Sequence, residues 1–173
     1  MLSLALLRHA KSSWEENALN DFDRPLSERG LKSAPRAGKA LLGFGFRPTL
    51  VLCSTAQRTR ETLDLCLPVL VQHGNPPQVR YDDRLYLASS TTILEVIRDA
   101  GGASPSLLVV GHNPGLHHAA VTLAGSGEAG LIQALNDKMP TAAVALMSFA
   151  RQRWRDIRSR DGNLVAYWTP KGA

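Results

Sequence analysis

Three short stretches of this sequence carry side chains suited to gripping and moving a phosphoryl group. Arg8-His9 directly follows the apolar run Leu2–Leu7, and Gly111-His112 directly follows Leu107–Val110. Between them, the stretch from Ser54 to Thr62 places Arg58 at the start of a predicted helix, just after the apolar run ending at Cys53. A neutral imidazole offers a lone pair that attacks phosphorus. Guanidinium forks match the spacing of phosphate oxygens. Each of the four candidates (His9, Arg8, Arg58 and His112) leaves the carboxyl end of a predicted strand or opens the following helix. In open α/β sheets that edge is where ligands bind. The chemistry implied is phosphoryl transfer through histidine.

Each residue alone has a plainer reading. His9 or His112 can be a structural histidine hydrogen-bonded at a strand end, and Arg58 an exposed arginine paired with Glu61 or Asp64. Taken together they make a consistent site. Nearby guanidinium groups repel a proton from imidazole and keep it neutral at pH 7. The same groups offset the charge of the transferring phosphoryl. Arg58 in a first helical turn conflicts with the helix dipole, and such local conflicts tend to mark functional sites. Ser54 and Thr55 are candidate caps for that helix.

The elements that must position these groups are legible in outline. Leu2–Leu7 predicts a buried central strand. Lys11 to Arg24 reads as a long loop. Ser27 is the candidate N-cap of a helix running to about Gly43, with a kink or break expected at Pro35. Thr49–Cys53 predicts a second strand, followed by a helix ending near Pro68, and Val79–Tyr81 a brief third strand. Ser89 or Ser90 caps a helix through Ala100, on which Ile93, Leu94 and Ile97 share a face. Leu107–Val110 is a fourth strand, and Asn113-Pro114-Gly115 turns into a helix over Leu116–Leu123. Ala143–Phe149 and Leu164–Trp168 predict a closing strand pair around a basic turn. This alternation argues for an α/β fold: a three-layer α/β/α sandwich with a mostly parallel central sheet.

Composition narrows the class. The 173 residues, 44% of them hydrophobic and 20% charged, suit a single domain over residues 1–173 with one sizeable core. The net charge of +5 favours anionic partners. Part of it lies in the stretch Arg151–Arg160, read as a solvated turn; with no nucleic-acid-binding signature, no nucleic-acid partner is expected. Cys53 and Cys66 fit no metal or redox spacing and read as reduced core thiols, which points to the cytoplasm. The apolar N-terminus lacks a basic leader segment, and no run is long enough to cross a bilayer, so no membrane association is expected. His73, His117 and His118 are weaker candidates whose spacings match no zinc motif. No metal and no organic cofactor are expected.

The set as a whole resembles the histidine phosphatase superfamily, whose fold is shared with cofactor-dependent phosphoglycerate mutases. Leu-Leu-Arg8-His9, Ser54-x-Ala56-x-Arg58-x-x-x-Thr62 and Gly111-His112 are similar to its three motifs. A narrower likeness, to SixA-type phosphohistidine phosphatases, is carried by Arg8–Trp14, Asp21–Leu26, Gly111–Gly115 and Pro140-Thr141. The resemblance implies a phosphoglycerate mutase-like fold with His9 as nucleophile and Arg8, Arg58 and His112 around the phosphoryl group. It also implies substrate contacts from Lys11, Ser13 and Asn113. Ala10 departs from the glycine of the wider superfamily. Mutases and phosphomonoesterases of this superfamily place an acidic proton donor after the segment matching Asp83-Arg84-Leu85; here Tyr86-Leu87-Ala88-Ser89 follows. An alkoxide leaving group needs that acid, worth roughly 10²–10⁴-fold, whereas imidazole, with a pKa of about 6.5, leaves with less help. Asp21, Asp23, Asp82 or Asp83 remain alternative donors. The implied activity is removal of phosphate from phosphohistidine on a protein partner such as a phosphotransfer domain, by a monomeric enzyme with an open, basic mouth. The alternatives are a small-molecule phosphomonoesterase or mutase, and a non-catalytic phosphate-recognition module.

Overall fold

The computed structural model describes residues 1–15, 20–72 and 74–171. His73 and part of the expected loop over 11–24 lie outside the described residues. A seven-stranded sheet of order β3-β2-β4-β1-β6-β7-β5 runs through the molecule. Its strands are β1 (Leu2–Arg8), β2 (Leu50–Cys53), β3 (Gln78–Tyr81), β4 (Ser106–Gly111), β5 (Ala124–Gly127), β6 (Val144–Phe149) and β7 (Gly162–Trp168). Among the described residues the α-helices are α1 (Glu28–Gly43), α2 (Gln57–Leu70), α3 (Ser90–Ala100), α4 (Gly115–Leu123) and α5 (Ala129–Asp137). Strands β1 to β4 are mutually parallel, β6 is antiparallel to both β1 and β7, and β5 is parallel to β7. The sheet is therefore mixed, with its parallel half on the side of the candidate site.

Strand β1 is apolar throughout because both its faces are covered. Leu4 and Leu6 pack with Val96 and Ile97 of α3 and Leu116 and Ala120 of α4. Ala5 and Leu7 face the other way, onto Ala37 and Leu41 of α1 and Leu63 and Cys66 of α2. Each leucine so buried stabilises the fold by about 1.5–3 kcal/mol relative to exposure. The three-layer α/β/α arrangement expected from the sequence is thus present.

Several local expectations are refined. Helix α1 begins where predicted, with the Ser27 hydroxyl accepting from the Gly30 amide at 3.2 Å. It runs through Pro35 without the expected break. Proline removes a single intrahelical donor, and the carbonyl it would have bonded belongs to Leu31, which is half-exposed to water. Helix α2 ends near Pro68 as expected, with Leu70 as its last residue. The cap of α2 is not Ser54 or Thr55: the N-cap residue is Ala56, with no side-chain cap. Ser89 caps α3 by accepting from the Thr92 amide. Elements β5 and α5 were not anticipated. The basic stretch after β6 is a turn in which Arg151 pairs with Asp161 at 2.9 Å and Arg153 with Asp156 at 2.7 Å. It is anchored by the buried Trp154.

Two glycines mark close approaches that set the loops around the site. A Cβ on Gly30 would meet the Lys11 carbonyl oxygen at 2.1 Å, and one on Gly115 the Ala88 oxygen at 1.8 Å. These contacts seat the segment after β1 on α1 and the segment before α3 on α4. No helix among the described residues is long and apolar enough to cross a membrane.

Candidate active site

Sheet register brings the candidate groups together. Arg8 pairs with Gly111 across β1 and β4, and Cys53 pairs with Val110 across β2 and β4. Three adjacent parallel strands therefore end level, and the residues that follow them share one edge. The His9 amide donates to the Gly111 carbonyl at 3.1 Å, and the Ser54 amide to the Val110 carbonyl at 3.0 Å. On the other side of β1, the Ala142 amide reaches the carbonyls of Arg8 and His9 at 3.1 and 3.0 Å. Ala142 holds a φ of 62°, in the left-handed region. That conformation costs a non-glycine residue about 1–2 kcal/mol, and it places the one amide between two carbonyls.

The four predicted side chains converge. The His9 and His112 ring centroids lie 5.2 Å apart. Arg58 Nε points at His9 Nε2 from 3.4 Å. His9 Nδ1 sits 2.7 Å from the Ala10 carbonyl. A carbonyl only accepts, so Nδ1 carries the proton and Nε2 holds the lone pair. Ala10 is itself fixed, its amide donating to the Thr62 hydroxyl at 3.0 Å. His112 Nε2 lies 2.8 Å from the Ser54 hydroxyl, while its Nδ1 is buried without a protein partner. Arg8 donates through one terminal nitrogen to the Met139 carbonyl at 3.0 Å, and its Nε is buried and unpartnered. Asn113 donates to the same carbonyl at 2.8 Å and leaves its own Oδ1 buried and unpartnered. Unpaired buried polar atoms are rare in folded proteins and call for an explanation; here two such donor-capable nitrogens belong to Arg8 and His112.

Asn113 is thus part of the cluster. Lys11 and Ser13 are not: the Lys11 side chain is exposed, and the Ser13 hydroxyl accepts from the Glu15 amide. Both residues instead use backbone groups to hold the loop, Lys11 through its carbonyl to Ser27 and Ser13 through its carbonyl to Arg24. His117 lies elsewhere, its Nε2 2.6 Å from the Leu135 carbonyl, and its ring stacks near His118. Among the described residues no three His, Cys, Asp or Glu side chains group as metal ligands would.

Sequence reasoning left the roles of several neighbours open. Asp21, in a 3-10 turn over Asp21–Asp23, meets Arg58 twice: its carbonyl accepts at 2.7 Å and its carboxylate at 3.0 Å. The Tyr86 hydroxyl donates to that carboxylate at 2.6 Å, and Arg24 pairs with its other oxygen at 2.9 Å. The Tyr86 ring stands edge-on to His112, with centroids 5.5 Å apart. Asp21 and Arg24 fall inside a stretch the sequence singled out, but Tyr86 was noticed only for not being a carboxylate.

Electrostatics favour neutral imidazoles. Burial, followed by repulsion from Arg58, Arg8 and Arg24, pushes His9 down to about 3 against the opposing pull of the Ala10 carbonyl. Burial, then His9 and Arg58, does the same for His112, also to about 3. Asp21 goes down to about 2: hydrogen bonds from Tyr86 and Arg24 and the charge of Arg58 outweigh a desolvation effect of opposite sign. Asp23 and Asp83 form no part of the cluster; Asp83 accepts from Thr55 at 2.6 Å and Asp82 pairs with Arg84 at 2.9 Å.

These shifts have a sign that can be measured. Both folded-state values lie below the ordinary 6.5, so the unfolded chain takes up these protons first on acidification. Stability from this source is complete above pH 6.5 and declines as pH falls toward 3. Ring nitrogen chemical shifts at pH 5 will report His9 and His112 neutral, where an ordinary imidazole is mostly protonated. An imidazolium signal from either ring at that pH would contradict the assignment.

The geometry agrees with the comparisons. An uncharacterized protein of Mycobacterium tuberculosis is 36% identical over 167 residues, covering 95% of this chain and all of the relative. The family model described as histidine phosphatase superfamily (branch 1) matches residues 4–86, a span that includes Arg8, His9 and Arg58. The chain belongs to the histidine phosphatase superfamily. Within it the likeness is to SixA-type members. A structure from Nakamurella multipartitia, assigned as phosphohistidine phosphatase SixA, is 29% identical with a TM-score of 0.82, covering 98% of this chain and 96% of that one. A second, from Agrobacterium tumefaciens and assigned likewise, is 30% identical with a TM-score of 0.79, covering 98% of each chain. The superfamily fold accounts for the mixed sheet in which β1, β2 and β4 end at one edge.

Proposed function

We propose that this superfamily member is a phosphohistidine phosphatase acting on protein-borne phosphohistidine, through a phospho-His9 intermediate. The observation that carries the reading is the lone pair on His9 Nε2. It is fixed by the Ala10 carbonyl and faces the Arg58 Nε proton. In the first step His9 Nε2 bonds to phosphorus as the P–N bond of the substrate breaks. The electron pair returns to the substrate ring. A substrate ring already protonated on its other nitrogen departs as neutral imidazole, and no proton need move. The positive charge now rests on the phospho-His9 ring, where Nδ1–H donates to Ala10. In the second step water adds to phosphorus, the P–N bond to His9 breaks with its pair returning to Nε2, and dihydrogen phosphate leaves. Arg8, Arg58 and His112 supply donors to the phosphoryl oxygens through both steps, His112 by Nδ1–H when Nε2 accepts from Ser54.

The surroundings of Asp21 support a P–N rather than a P–O substrate. Its carboxylate accepts from Tyr86 and pairs with two arginines. A group so held is ionised and has no proton to give an alkoxide. The test is a parallel assay of a phosphohistidine-bearing phosphotransfer protein, phosphoglycerate and p-nitrophenyl phosphate. The highest kcat/KM is expected on phosphohistidine. A higher value on either ester overturns the substrate assignment.

A further inference from the structure

We infer that Asp21 is a positioning residue, an ionised brace that aims the Arg58 guanidinium at the phosphoryl group, and that Tyr86 acts through it. The inference rests on the phosphatase reading above for the role of Arg58.

Arg58 occupies an awkward place. Its side chain is only 4% exposed, it lies in the first turn of α2, and the guanidinium of Arg8 is close enough to be felt electrostatically. The positive end of a helix dipole and a second cation both push it away. A buried charge without a partner is strongly unfavourable, so the guanidinium needs a fixed counter-charge. Asp21 supplies it in a specific form. The two terminal nitrogens of Arg58 donate to two different acceptors of the one residue, the carbonyl and the carboxylate. Two parallel bonds to one residue set the plane of the fork as well as its position. They engage the edge remote from His9 and leave the Nε–H directed at the nucleophile.

The brace is itself fixed on three sides. The Tyr86 hydroxyl donates to the carboxylate oxygen that holds Arg58. Arg24 pairs with the other oxygen, and is locked by the Ser13 carbonyl, the Ser12 hydroxyl and the face of Trp14. The Asn20 side chain accepts from the Asp23 amide and closes the turn. The carboxylate is an acceptor at each contact, which suits a support and does not suit an acid. The same arrangement makes Tyr86, which opens the segment where the resemblance places the mutases' acid, a support for the arginine clamp.

Two rival roles for Asp21 predict different numbers. A proton donor would matter more as the leaving group becomes more basic. A carboxylate resting in the phosphate position would compete with anions, and its removal would tighten their binding. The experiment compares wild type, Asp21→Asn, Tyr86→Phe and the double variant. Orthovanadate affinity is measured, with kcat and KM on phosphohistidine protein and on a series of aryl phosphates of graded leaving-group basicity. The expectation for Asp21→Asn is weaker orthovanadate binding and a kcat/KM loss of roughly tenfold to a hundredfold, the scale of a misplaced catalytic group, equal across the series. Tyr86→Phe keeps the ring on His112 and the carboxylate on Arg58, so it tests the same chain if Asp21→Asn folds poorly; a smaller loss in the same direction is expected. The double variant should be no worse than Asp21→Asn alone. A loss that grows with leaving-group basicity, tighter orthovanadate binding, unchanged kinetics, or additive losses in the double variant would each overturn the proposal. Each ratio is taken within one substrate, so these outcomes stay separate from whether phosphohistidine is the preferred substrate.

Discussion

Replacing His9 by alanine will abolish turnover and the acid-labile phosphate on the enzyme, with the fold retained. The reacting nitrogen disappears, and no neighbour can take its place. His112 Nε2 is engaged by Ser54 2.8 Å away, and its Nδ1 is assigned to hold phosphoryl oxygen. Removing the nucleophile of a covalent mechanism costs on the order of 10⁶-fold in kcat. The fold should survive because the backbone of residue 9, not its ring, ties the strand ends together through the Gly111 carbonyl and the Ala142 amide. Mass spectrometry of enzyme trapped during turnover, under conditions that preserve acid-labile phosphate, provides the readout beside the rate. A phosphorylated residue elsewhere, or a rate near wild type, would falsify the role given to His9.

Arg58→Ala is expected to lower kcat/KM by about 10²–10³, the loss typical of one preorganised donor to a developing anion. The change removes the Nε–H that faces the nucleophile and strips Asp21 of one of its two cationic partners. It also removes repulsion that helps hold His9 neutral, so the His9 pKa should rise toward its ordinary value while remaining low from burial. Arg58→Lys restores the charge without the planar fork, and should recover only part of the rate. Full recovery by lysine would show that charge alone matters and that the fixed plane of the guanidinium does not. Arg58→Ala with undiminished kcat/KM would remove Arg58 from the clamp.

Much of the site could be read from the chain before its fold was known, for a reason visible in β1. A strand buried on both faces must be apolar along its length, so the first polar residues after it stand out, and in parallel strands those residues share an edge. Arg8, His9 and His112 were found this way, and Arg58 by its conflict with the start of α2. Asn113 came with His112. Lys11 and Ser13 follow His9 in sequence, but proximity in sequence says nothing about direction: both hold the loop through their carbonyls. Asp21 was legible only as one of four possible donors; its bond to Tyr86 and the part of the Met139 carbonyl were beyond reach of pattern alone. Asp21 and Tyr86 are separated by 65 residues, and a backbone carbonyl has no sequence signature. Strand β5, with the sequence Ala-Gly-Ser-Gly, carries none of the β-branched or aromatic residues that signal a strand. It pairs with the edge of β7. Pro35 does not break α1, contrary to expectation; helices α1 and α2 pack on each other along their length, and tertiary contact outweighs one missing donor.

The Met139 carbonyl accepts from both Arg8 and Asn113, and this has a consequence for biosynthesis. Arg8 and Met139 are 131 positions apart. At about 5–20 residues per second, a growing chain carries its first strand for on the order of ten seconds before the group that steadies Arg8 has been made. The β6 partner of that strand is translated later still. The groups around His9 are thus made seconds apart, and they come together only once β4 and β6 have both joined β1.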